Sequence, residues 1–209
     1  MTRFRTIERP VRHEPDKIKG SRHIATVEPL RDVDGVDQVL DRVRKEMHDA
    51  RHHAWAWRLG TGNSGSFRYS DDGEPSGSAG KPILAQIDGR ELTDVMVVVT
   101  RYFGGTRLGV GGLVRAYGGA AAEALDLAGV REVVLRHRVS VTHGYEDSGA
   151  VASALHGLRL EPLESEYGEE VRLILGLEAG QVESTLASLR EATGGRARVD
   201  VGPLGSDVG

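Results

Sequence analysis

Hydrophobic and polar positions recur with different periods along this chain, and the periods outline its elements. Val95-Met96-Val97-Val98-Val99 is an unbroken apolar, mostly β-branched run. Such a run reads as a strand buried on both faces. An aromatic pair, Tyr102-Phe103, and a glycine-dense stretch ending at Gly112 follow it. Leu113, Ala116, Ala120, Ala124 and Ala128 then recur every three or four residues, the spacing of a helix face. Upstream, residues 22–29 read as a first strand closed by Pro29. Val36, Val39, Leu40, Val43 and Met47 predict a helix from about residue 34 to 52. Residues 53–59 alternate, with Trp55 and Trp57 on one face and Ala54 and Ala56 on the other. A Gly/Ser/Asn turn cluster at 60–65 and a return strand at 66–70 complete a predicted hairpin. Asp71 to Gly80 is too rich in Gly, Pro and Ser to be regular, and Pro82 suits the first turn of a short helix ending near Ile87.

A strand near Val133 runs on toward Val141, and a domain boundary is expected at about 135–138, dividing the chain into residues 1–137 and 138–209. Beyond it the pattern reads strand (138–143), helix (147–157), strand (159–166), strand (170–177), helix (180–192) and strand (196–201). That order, βαββαβ, is the ferredoxin-like pattern. The first part reads as a mixed sheet with helices segregated to one face, an α+β two-layer sandwich.

Composition narrows the classes. A chain of 209 residues with 39% hydrophobic and 28% charged residues describes a soluble globular protein. No apolar run approaches the ~20 residues of a membrane helix, and Met1 to Lys19 has no apolar core of a signal peptide. The absence of cysteine excludes disulfides, thiolate metal sites and thiol nucleophiles together. A cytoplasmic location is the simplest reading. The net charge of −4 is unevenly spread: residues 138–209 hold 6 Lys/Arg against 12 Asp/Glu, and the rest hold 21 against 19. The first part is therefore free to present a basic face.

Candidate chemistry is sparse. His48 and His52 are one turn apart in the predicted helix, but Asp49 stands where a zinc protease has Glu, and no third ligand follows. Histidines at a helix C-terminus also favour the dipole on their own account, so no metal is expected. Trp55 and Trp57 suit either a core face or a stacking platform for bases; a core face is the commoner use. Asp71, Asp72 and Glu74 suit paired acids, magnesium ligands, loop caps, or an ion pair with Arg101 or Lys81. No catalytic set is complete, because Ser76 and Ser78 have no histidine placed beside them. Gly104 and Gly109 have Walker spacing, but Val110-Gly111 follows where Lys-Ser/Thr is required, and no dinucleotide fingerprint fits. What remains is a candidate anion-binding surface of Lys81, Arg101, Arg107 and Arg115. Ser76, Ser78, Gly104 and Gly105 would add hydroxyl and N–H donors to it. A solvated or salt-bridged set of side chains is the alternative.

Three stretches carry a resemblance. They are Asp71-Asp72-Gly73-Glu74-Pro75-Ser76-Gly77-Ser78-Ala79-Gly80-Lys81-Pro82, Val98-Val99-Thr100-Arg101-Tyr102-Phe103-Gly104-Gly105 and Gly111-Gly112-Leu113-Val114-Arg115-Ala116-Tyr117. With Lys19-Gly20-Ser21-Arg22, Ala50, His52 and Trp55-Ala56-Trp57, they make the chain similar to the YigZ/IMPACT family over nearly its whole length. Departures are mild, such as Ser78 where Thr is usual and Arg107 where Lys is common. The resemblance implies a ribosomal-protein-S5 domain-2-like fold for the first domain, and kinship of both domains with the last domains of translation elongation factor G. It also implies regulation of translation. The resulting expectation is a non-catalytic module, without cofactor, that binds RNA, the ribosome or a translation-factor partner. The alternative is a hydrolase acting on a small phosphorylated or peptide substrate.

Overall fold

The computed structural model describes residues 3–61 and 65–205, and its contacts divide the chain into two compact units, Arg3–Glu132 and Val133 onward. The first unit is built on a five-stranded sheet. Its strands are β2 (Val11–His13), β3 (Arg22–Pro29), β4 (His52–Leu59), β5 (Ser66–Ser70) and β6 (Val95–Tyr102). Their order is β2-β3-β6-β4-β5 and every pairing is antiparallel. The apolar run at 95–99 lies at its centre, and all five residues are fully buried.

Helix α1 (Asp34–Glu46) covers one face of this sheet, while α2 (Gly80–Gly89) and α3 (Val110–Ala128) cover the other. Strand periodicity makes the division clean. Met96, Val98, Trp57 and Ile24 pack against Val36, Leu40 and Val43 of α1 and against Met47 just after it. Val95, Val97, Val99, Ala54, Ala56, Ala25 and Val27 pack against Ile83 and Ile87 of α2 and against Leu113, Tyr117, Ala121 and Ala124 of α3. The expected two-layer sandwich on a mixed sheet is thus corrected to three layers on an antiparallel sheet. A strand apolar on both faces needs cover on both.

Two further readings change. Strand β1 (Arg3–Ile7), paired with β7 (Val130–Val134), and strand β2 lie in the polar N-terminal segment, where no strand was predicted. Helix α1 stops at Glu46 instead of continuing to residue 52, because His52 is already paired with Arg101 in the β4–β6 ladder. Sheet pairing takes the backbone that helical spacing claimed. The predicted tip of the β4–β5 hairpin at 62–64 lies outside the described residues.

The second unit runs β8 (Arg136–His143), α4 (Ser148–Gly157), β9 (Glu164–Tyr167), β10 (Val171–Leu177), α5 (Ala179–Thr193) and β11 (Arg198–Gly205). Its antiparallel sheet has the order β11-β8-β10-β9. Val139, Val141, Leu173, Leu175 and Leu177 form a core with Val151, Leu155 and Leu189 of the two helices. A capping box between Glu178 and Gln181 opens α5, and Gly194, left-handed at φ 59°, closes it. No helix among the described residues is long and apolar enough to cross a membrane.

Candidate functional site

The register of the central strands puts three polar residues in one row. His23 of β3 and His52 of β4 both lie opposite Arg101 of β6. Residues directly opposite in a ladder share a face, and alternation from Val95, Val97 and Val99 puts this row on the α2/α3 side. The 71–79 loop and Tyr117 of α3 close over it.

The acids of that loop turn inward. The Asp71 carboxylate accepts N–H bonds from Gly77, Ala79 and Gly80 at 2.8, 2.9 and 2.8 Å. It thereby supplies the anion that the N-terminus of α2 attracts. Asp72 accepts the backbone N–H of His53 at 2.6 Å, and its own carbonyl lies 2.8 Å from His52 Nδ1. Glu74 Oε1 accepts from Arg101 Nη1 at 2.6 Å and from the Tyr117 hydroxyl at 2.8 Å. Both members of this ion pair are buried, with side-chain exposures of 8% for Arg101 and 5% for Glu74. Burial and the adjacent Glu74 charge push the Tyr117 phenol far above its ordinary range, which keeps it a donor.

His23 is the least satisfied member of the cluster. It is 1% exposed, its ring stands edge-on to Tyr117 with centroids 5.3 Å apart, and neither ring nitrogen has a partner. Burial, and next the Arg101 charge, push its pKa down to about 4. The buried Arg101 Nε is likewise without a partner.

The predicted anion-binding residues therefore separate. Arg101 is held by Glu74. Ser78 is buried and donates its hydroxyl to Pro75 O at 2.6 Å. Gly104 N–H donates to Ser21 Oγ at 3.1 Å. Its backbone is also so close to the 20–21 segment that a β-carbon would come within 1.9 Å of Gly20 C. These three are engaged within the fold. Lys81, Arg107, Arg115, Ser76 and Gly105 are exposed. Among the described residues, Lys81, Arg107 and Arg115 make no ion pair and no side-chain hydrogen bond. Arg115 lines a cleft with His13, Glu14, Asp16 and Glu123 that includes none of the other predicted residues. Helix α3 begins after Gly109, at φ 72°, with no side-chain cap and no acid in its first turn.

Sequence reasoning missed one cation of this rim. Lys19 and Gly20, at φ 48° and 79°, form a tight turn between Ile18 and Ser21. The Gly20–Gly104 contact brings exposed Lys19 beside the 103–109 loop. The glycine after Lys19, a turn residue, was the available signal. The row of His23, Arg101 and His52 was also missed, because it depends on register between distant segments.

Among the described residues no group of three or more His, Cys, Asp or Glu is placed to hold a metal. His48 lies in the turn after α1 and His52 on β4, so the two share no helix. Trp57, 3% exposed, and Trp55 are packed in the core against α1.

Comparison with known proteins accounts for most of the chain. The Impact N-terminal domain profile matches residues 19–125, from Lys19 into the α3 helix. The chain belongs to the IMPACT family. A domain of unknown function, DUF1949, matches residues 141–196. The chain is 35% identical over 186 residues to the Escherichia coli K12 IMPACT family member YigZ, covering 86% of this chain and 89% of that one. It is 33% identical over 191 residues to an IMPACT family member of Haemophilus influenzae, covering 91% and 93%. A crystal structure of a hypothetical protein matches with a TM-score of 0.69 and 32% identity over 97% of this chain and 98% of its own.

Proposed function

We propose that this IMPACT-family protein is a translation-associated regulator that binds RNA, alone or within the ribosome, through the glycine-rich basic surface of its first unit. One observation carries the reading. Asp71, Asp72 and Glu74 are engaged within the fold, while Lys81, Arg107 and Arg115 stay exposed and unpaired. Residues 95–122 moreover contain three arginines and no acid; of these Arg101 is paired with Glu74 and Arg115 lies in a cleft with Glu14, Asp16 and Glu123, which leaves Arg107 the least offset. Exposed guanidinium and ammonium groups beside glycine N–H groups and an uncapped helix start suit phosphate oxygens. The family's link with translation supports an RNA ligand. A cytoplasmic location belongs to the same proposal.

The strand orders support the finer fold reading as well. In the second unit the four strands, numbered by sequence, lie in the order 4-1-3-2 around two helices, which suits a ferredoxin-like domain. The first unit is proposed as S5 domain-2-like, elaborated by α1 on the second face. If 1–137 and 138–209 are separate domains, a 1–137 fragment melts cooperatively with native-like circular dichroism; a disordered fragment moves or removes the boundary.

The test of function is RNA binding by the full chain as a function of salt. Affinity falls steeply with ionic strength, because each neutralised phosphate releases condensed counterions. If the protein binds no RNA at low salt, the nucleic-acid reading fails and a protein partner in translation control takes its place.

A further inference from the structure

The stacking role that the sequence offered to Trp55 and Trp57 falls to a different ring. Phe103, immediately after β6, is 53% exposed. The Arg101 guanidinium carbon lies over its ring, 5.6 Å from the centroid. That guanidinium is locked by Glu74, which Tyr117 holds in turn. On the other side of Phe103 in the chain, Gly104 is pinned to the 20–21 turn by its N–H bond to Ser21 and by backbone contact with Gly20. The ring is therefore positioned by buried groups from beneath and by a fixed backbone after it, while half of its surface stays in water. Exposed Lys19 directly precedes Gly20, whose backbone touches Gly104, and Arg107 follows four residues after Phe103. Neither cation has an ion-pair partner among the described residues.

We infer that Phe103 is a base-stacking platform, with Lys19 and Arg107 taking the phosphates that flank the stacked base. The ligand of this surface is then single-stranded RNA. The inference rests on the nucleic-acid reading above and sharpens it. A protruding aromatic ring needs an unpaired base with an exposed π-face, which a duplex keeps inside its own stack. Phosphate contacts from lysine and arginine carry no such preference, since they are made to either form. The buried Glu74–Arg101 pair acquires a purpose: it holds the ring ready, so that binding has little side-chain freedom left to remove.

The experiment uses the full chain at low salt, with a short unstructured single-stranded RNA and a duplex of the same sequence, read by fluorescence anisotropy. The parent binds the single strand more tightly than the duplex. Phe103→Leu keeps an apolar group without a π-face and weakens single-strand binding by roughly 5- to 150-fold, the range for losing one stacked base. It leaves duplex binding and the melting temperature unchanged. Phe103→Trp retains single-strand binding, and its indole emission is quenched by the RNA beyond any change in the parent. Arg107→Ala weakens both forms alike. If Phe103→Leu binds the single strand like the parent, or loses both forms equally, the stacking inference is overturned while the RNA reading stands. If the parent binds neither form, both fall together.

Discussion

Arg101 and Arg107 are six residues apart in one glycine-rich stretch, yet they belong to different regions of the molecule. Arg101 is 7% exposed and shares Glu74 with Tyr117 inside the first unit. Arg107 stands in water on the 103–109 loop without an ion-pair partner. The interior cluster is made of groups that must stay paired, because a buried charge that loses its partner cannot recover hydration. The rim is made of groups whose charge is satisfied by solvent. One region holds the shape; the other is the surface proposed to meet the ligand.

The sharpest way to break this contrast is to exchange the expected effects. Arg101→Ala leaves Glu74 buried and uncompensated, so it should destabilise the fold by about 3–5 kcal/mol, measured by urea unfolding. A stability change below ~0.5 kcal/mol, the level of an ordinary surface substitution, would place Arg101 with the rim instead. Gly104→Ala is the next largest. Its β-carbon would overlap the 20–21 backbone, and a loss of about 1–3 kcal/mol is expected from overpacking. An alanine variant that melts with the parent would show that the two segments are not in contact.

Acid acts on the interior through His23. Its folded pKa, about 4, lies below its unfolded value near 6.5, so its contribution is fully present above pH 6.5. That contribution is lost as pH falls from 6.5 toward 4, about 2 kcal/mol by pH 5 at 1.36 kcal/mol per pH unit. Carboxylates and the buried His53 also titrate on acidification, so the comparison is between the parent and His23→Phe, which keeps an aromatic ring against Tyr117. The variant should lose less stability between pH 7 and pH 5 than the parent. Equal losses would remove His23 from the acid response.

The smallest effects on stability belong to the rim. Arg107→Ala and Lys81→Ala should each change stability by less than ~0.5 kcal/mol. Each should nevertheless weaken RNA of any sequence and lower the slope of log affinity against log salt by about 1. Variants that bind RNA like the parent would leave the rim without its proposed role.

Some of this was legible in the chain. The run at 95–99 already required burial on both faces, so a helix on each side of the sheet follows from it; the two-layer reading did not carry that premise through. The α3 stripe and the Ala/Trp alternation of β4 were also legible, because the residues that share a face are close in sequence. The end of α1 was not, since ladder pairing between His52 and Arg101 outweighed a local helical spacing.

The sequence by itself determined the central strand, the helix after the glycines, the family, and the concentration of cations without acids between residues 95 and 122. Only the tertiary structure decided which of those cations face water. It set His23, Arg101 and His52 side by side, turned Asp71 and Glu74 inward, and brought Lys19 to the 103–109 loop. Periodicity fixes which side chains share a face of one element, and that is a local property. Register between strands, and the closure of a loop over them, depend on contacts between residues far apart in the chain.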